Sequence, residues 1–122
     1  MQALIIIAHG SKRESANDEI KNLCSTLKTK LEPKPFATIQ YCFLELAEPD
    51  LLSCIASVVQ SFPALKTIRV LPYFLSSGKH VDHDIPKLIE KLHAHYPAIN
   101  FVCDDYIGKN QALIPLLMAK LG

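Results

Sequence analysis

The stretch Ala3-Leu4-Ile5-Ile6-Ile7-Ala8, closed by His9-Gly10-Ser11, decides the fold. Its apolar residues run without the polar alternation of a half-exposed strand and are too few for a helix, so it reads as a strand buried on both faces. Such a strand belongs to a parallel sheet with helices on both sides. Downstream, Ser11 and Glu14 have the spacing of a capping box, and Ala16, Ile20, Leu23, Cys24, Leu27 and Leu31 recur at helical intervals. A first helix is expected to reach about Leu31, where Pro33 and Pro35 break it. The segment Ala37–Leu44 has the β-branched and aromatic content of a second strand, stopping near Glu45-Leu46-Ala47-Glu48-Pro49.

The same alternation of elements continues to the end of the chain. Leu51, Leu52, Ile55, Val58, Val59 and Phe62 trace a second helix with Pro49 in its first turn. Thr67–Pro72 is a third strand, and Tyr73–His80 a loop expected to be the longest connection. Asp84 is placed to cap a third helix, faced by Ile85, Leu88, Ile89, Leu92 and Tyr96, with Pro86 in its first turn and Pro97 closing it. Ile99–Cys103 is a fourth strand, and Leu113, Leu116, Leu117 and Leu121 mark a last helix whose start Pro115 blurs. The order βαβαβαβα predicts one α/β domain over 1–122, a four-stranded parallel sheet with helices on both faces.

Composition narrows the function. In 122 residues, 49% hydrophobic, 13 Lys+Arg oppose 12 Asp+Glu, so no strong field exists to hold nucleic acid. No apolar run approaches the roughly 20 residues of a membrane span, and the start Met1–Ile7 lacks the basic region of a secretion signal. The expectation is a cytoplasmic, soluble protein without a membrane partner. Cys24, Cys42, Cys54 and Cys103 form no C-x-x-C pair, so they read as small buried hydrophobes, not as a zinc site or disulfides. No G-x-G-x-x-G, Walker loop or G-x-S-x-G elbow is present.

Ligands of open α/β sheets bind outside the carboxyl ends of the strands, where the strand order reverses. Those ends carry His9, then Glu45 and Glu48, then His80. Imidazole with carboxylate suits divalent Co, Ni, Fe or Zn, and imidazole also moves protons near neutral pH. Spacing leaves open which glutamate turns inward. His83, three residues after His80, could share a helical face with it, whereas His93 and His95 are expected to face solvent. Ser11-Lys12-Arg13 at the first helix start combines backbone N–H groups with two cations and would attract an anion.

The motifs Ala8-His9-Gly10-Ser11, Phe43-Leu44-Glu45-Leu46-Ala47-Glu48-Pro49 and Leu71-Pro72-Tyr73-Phe74-Leu75, the last running through Gly78-Lys79-His80-Val81 to Asp84-Ile85-Pro86, resemble the sirohydrochlorin cobaltochelatase family in its small form. The resemblance implies a flavodoxin-like half of a class II chelatase. It implies ATP-independent insertion of a divalent ion, Co2+ foremost and Fe2+ or Ni2+ besides, into sirohydrochlorin, for cobalamin or sirohaem synthesis. It further implies no permanently bound cofactor and a homodimer that rebuilds a two-lobed cleft. Carried over by motif, His9 and His80 handle metal and protons with Glu45, or alternatively Glu48, as carboxylate partner. Ser11, Lys12, Arg13, Gly78 and Lys79 would meet the carboxylated macrocycle, and Tyr73 and Phe74 its ring face. One departure is Asn110, where the family often carries a His-Pro pair. It makes a non-catalytic tetrapyrrole or metal carrier the alternative function. A histidine-dependent phosphoryl-transfer enzyme lacks support, because Ala8 stands where that chemistry expects Arg.

Overall fold

The computed structural model describes residues 1–31, 35–109, 111 and 113–122. Its strands are β1 (Gln2–Ala8), β2 (Thr38–Phe43), β3 (Thr67–Pro72) and β4 (Asn100–Cys103), and its helices α1 (Glu14–Lys30), α2 (Leu51–Ser61), α3 (Ile85–His95) and α4 (Leu113–Leu121). The sheet order is β2-β1-β3-β4 with every pairing parallel. This is the strand order of a flavodoxin-like sheet, and it reverses at β1.

Pleating divides β1 between two cores. Ala3, Ile5 and Ile7 point toward α2 and α3, joining Leu51, Ile55, Val58, Ile68, Val70, Ile85, Leu92 and Phe101. Leu4 and Ile6 point to the opposite side, against Cys24 of α1 and Ile39, with Leu27, Leu31, Phe36 and Leu71 partly buried around them. The helices therefore lie on both faces. The side under α1 is less completely covered. Val102 is exposed there, and Arg69 spans the surface to Asp104 through two hydrogen bonds of 3.0 and 3.2 Å.

Several local expectations are corrected. Ser11 and Glu14 do not form a capping box: α1 starts after Arg13 without a side-chain cap, and the Asn17 amide takes both main-chain groups of Ser11. Pro49 lies before α2, whose cap is Asp50, accepting from the Ser53 N–H at 2.8 Å. Asp84 does not cap α3, because a π-helical turn, His80–Asp84, runs directly into that helix and engages its carboxylate otherwise. That turn also takes His80 out of the preceding loop, which is left with residues 73–79, no longer than the connections 31–37 and 44–50. Cys24, Cys42 and Cys54 are buried as expected, but Cys103 is exposed. The expected break at Pro33 and the departure at Asn110 lie outside the described residues.

The last helix forms as expected, but in α4 Ile114, Leu116, Leu117, Met118 and Leu121 are all exposed. Pro115 sits in its first turn, where a missing N–H costs nothing. Among the described residues, no helix is long and apolar enough to cross a membrane.

Candidate metal centre

The hydrogen-bond ladder between β1 and β2 does not stop where the strands end. Leu44 donates to the Ala8 carbonyl at 2.8 Å, and Glu45 donates to the His9 carbonyl at 3.0 Å. These bonds bring His9 and Glu45 side by side just beyond the carboxyl edge. Gly10 makes the approach possible: its φ of 96° lies in the left-handed region, and a Cβ there would stand 1.8 Å from the Glu45 carbonyl oxygen. On the other side of β1, Tyr73 donates to the Ile7 carbonyl at 2.8 Å, which starts the loop that carries His80 back over the same edge.

The side chains then meet. His9 Nε2 is 2.7 Å from Glu45 Oε1, His80 Nε2 is 3.8 Å from the same oxygen, and the two imidazole centroids are 4.7 Å apart. One donor atom from each of His9, Glu45 and His80 can be chosen so that all lie within 4.8 Å of one another. Three exchangeable N and O donors, half open to water, can seat a divalent ion and leave coordination positions for another ligand. Glu48 is not in this group; it is exposed and lines a neighbouring concavity with Leu46, Ala47 and Ser53.

His80 has a second partner. Its Nδ1 lies 2.9 Å from Asp84 Oδ2, while His83 Nδ1 lies 3.2 Å from Asp84 Oδ1. His83 thus turns to Asp84 and not to the metal group. The hydrogen bonds from His83 and His80 hold the Asp84 carboxyl below its ordinary value. The sequence had shown Asp84 only as a cap, although the His80-to-Asp84 spacing of one helical turn was the available signal.

A cavity of about 620 Å³ opens beside this group, lined by Glu45, His80, Asp84, Lys87, Leu88 and Lys91 among others. Lys87 and Lys91 escaped the sequence reading; they lie one turn apart on α3 and bring two cations to the cavity. The residues expected to meet an acidic macrocycle stand outside this lining. Lys12, Arg13, Gly78 and Lys79 are exposed, Ser11 is half-buried, and none of them lines this cavity. Tyr73 is exposed, whereas Phe74 packs partly into the core. The anion corner is also altered, since the Ser11 N–H is spent on Asn17 Oδ1 and the Arg13 N–H on Ser11 Oγ, each at 3.0 Å. His93 and His95 are exposed, as expected.

A flavodoxin-like sheet whose reversal point gathers two imidazoles and a carboxylate defines the class: an α/β protein whose switch point carries donors able to hold a divalent ion or move a proton. The comparisons make this particular. The CbiX family model matches residues 3–122, and the chain belongs to that family. It is 25% identical over 121 residues, 99% of this chain and 44% of the relative, to a sirohydrochlorin ferrochelatase of Priestia megaterium. It is 28% identical over 89 residues, 73% of this chain and 59% of the relative, to a sirohydrochlorin cobaltochelatase of Methanopyrus kandleri. Among solved structures, the sirohydrochlorin chelatase SirB from Bacillus subtilis subspecies spizizenii in complex with cobalt superposes with a TM-score of 0.83 at 25% identity, covering 98% of this chain and 49% of that one. The chain therefore spans about half the length of these relatives.

Proposed function

We propose that this chain inserts a divalent metal ion into sirohydrochlorin without ATP. The observation that carries the reading is the convergence of His9, Glu45 and His80 at the sheet's reversal point. Metal insertion must strip water from the ion and two protons from pyrrole nitrogens, so the site needs a perch that releases its cargo and a base near neutral pH. Two imidazoles and one carboxylate, accessible to water, supply both functions, whereas a closed cage of four ligands would hold the ion. One histidine accepts the pyrrole protons while the other and Glu45 steer the ion. The metal is a substrate. The relatives' names include both iron and cobalt chelatases, and the donor set accepts Co2+, Fe2+ and Ni2+ alike, so Co2+ is the first choice to test.

The carboxylates of the macrocycle would meet cations around the cleft. Lys87 and Lys91 line the cavity beside His80, and Lys12, Arg13 and Lys79 stand exposed on neighbouring loops. A second copy of the chain would supply the other wall. The exposed apolar side chains of α4, with relatives about twice as long, support a homodimer as the working unit.

The test is to mix purified protein with sirohydrochlorin and Co(II) and follow the visible spectrum. Metalation faster than the protein-free rate is expected. No acceleration would leave binding without turnover, the carrier function, and would overturn the proposal.

A further inference from the structure

We propose that Asp84 is a positioning residue that sets the tautomer of His80 opposite to the one Glu45 sets at His9, making His80 the standing metal ligand and His9 the proton carrier. The tautomers follow from hydrogen-bond geometry; the roles of ligand and carrier rest on the metal-insertion reading.

An ionised carboxylate accepts hydrogen bonds and has no proton to donate. His80 Nδ1 stands 2.9 Å from Asp84 Oδ2, so Nδ1 carries the hydrogen and neutral His80 keeps its lone pair on Nε2. That bare nitrogen is the one facing Glu45, 3.8 Å from Oε1. His9 is set the other way. Its Nε2 lies 2.7 Å from Glu45 Oε1, so Nε2 carries the hydrogen and the lone pair falls on Nδ1. An ion arriving between the three side chains therefore finds an open lone pair on His80 and a proton on the facing nitrogen of His9.

His80 can ligate without losing a proton. His9 is suited to the other half of the reaction: its Nδ1 takes a pyrrole proton, the N–H bond of the pyrrole breaks, and the pyrrole nitrogen keeps its electron pair for the metal. The resulting imidazolium is stabilised by Glu45, and because His9 is half exposed it passes the proton to water before the second transfer. Asp84 can hold its post because it is fixed from two sides, by His80 and by His83 Nδ1 at 3.2 Å, within the π-helical turn His80–Asp84. A carboxylate behind a ligating imidazole fixes ring and tautomer, and its loss weakens metal binding by about 10–100-fold.

The whole metal-free chain with 15N-labelled histidines is the sample. Long-range proton–nitrogen correlation spectra read each imidazole's tautomer, and titration with Co(II) reads affinity. His80 is expected as Nδ1–H and His9 as Nε2–H. Asp84→Ala should move His80 out of the pure Nδ1–H form, leave His9 as it was, and weaken Co(II) binding about 10–100-fold. His83→Ala should keep both tautomers. An Nε2–H His80 in the wild type, or an Asp84→Ala protein with unchanged tautomer and Co(II) affinity, overturns the proposal. If Asp84→Ala does not fold, the wild-type spectrum still decides the tautomers, and Asp84→Asn provides the affinity measurement. Co(II) affinity undiminished in His80→Ala, with the tautomers as expected, would remove the ligand role and the metal-insertion reading while leaving the hydrogen-bond assignment to Asp84 standing.

Discussion

The side of the sheet under α2 and α3 gathers fifteen buried residues into one cluster among the described residues, whereas the side under α1 gathers four. Both sides share β1, so the difference lies in what covers them. α2 and α3 bring Leu51, Ile55, Val58, Ile85, Ile89 and Leu92 onto one face, while on the other α1 shields β1 and β2 and leaves a concavity of about 640 Å³ between Leu4, Leu71, Arg69 and the segment 104–109. The closed side anchors the elements that carry the site, β1 before His9 and α3 after the turn that holds His80. The open side leaves apolar surface where more protein can be added, and the exposed apolar residues of α4 offer another such surface.

The largest effect that would sharpen this contrast is on the closed side. Leu92→Ala, at a residue with almost no exposed surface, should lower unfolding free energy by about 2–5 kcal/mol in urea titrations. An equal loss from Leu27→Ala, on the half-buried face of α1, would erase the distinction; about 1–2 kcal/mol is expected there. At the edge between the two sides, Gly10→Ala should cost roughly 1–3 kcal/mol through its left-handed backbone and its collision with the Glu45 carbonyl. It should also separate His9 from Glu45, and calorimetric titration should show weakened Co(II) binding. On α4, Leu116→Glu with Leu117→Glu should leave the folding stability of one chain within about 0.5 kcal/mol while abolishing the dimer in sedimentation. A wild-type protein that sediments as a monomer would defeat the homodimer. The smallest effect is chemical. Cys103 alone of the four thiols should react with a thiol reagent in the native protein, and slowly at neutral pH, because partial burial and then Asp104 and Asp105 raise its pKa; denaturant should release the other three.

The layered sheet was legible because β1 is apolar on both faces, a pattern that a half-exposed strand does not produce. The helices followed from their stripes, and the meeting of His9 with His80 followed from their both coming after strands of one parallel sheet, at its carboxyl edge. The family motif favoured Glu45 over Glu48, but spacing did not, since a main-chain hydrogen bond from Glu45 to His9 brings Glu45 in and side-chain spacing carries no record of that bond. The capping box failed for a similar reason: Asn17 competes for Ser11, and a motif cannot say which acceptor wins. Asp84 was visible only as a cap because a π-helical turn has no apolar signature distinguishing it from a loop. The exposure of α4 was hidden by its own composition, as an apolar stripe states that a surface wants cover without stating whose.

The central claim is that His9, Glu45 and His80 act together on metal and proton. The most direct measurement is the rate of Co(II) insertion into sirohydrochlorin by the wild type beside Glu45→Gln, the variant that keeps the shape of the side chain shared by both histidines. The wild type should exceed the protein-free rate, and Glu45→Gln should lose about 10²–10⁴-fold of that acceleration with unchanged thermal unfolding. A Glu45→Gln protein that metalates as fast as the wild type would contradict the claim.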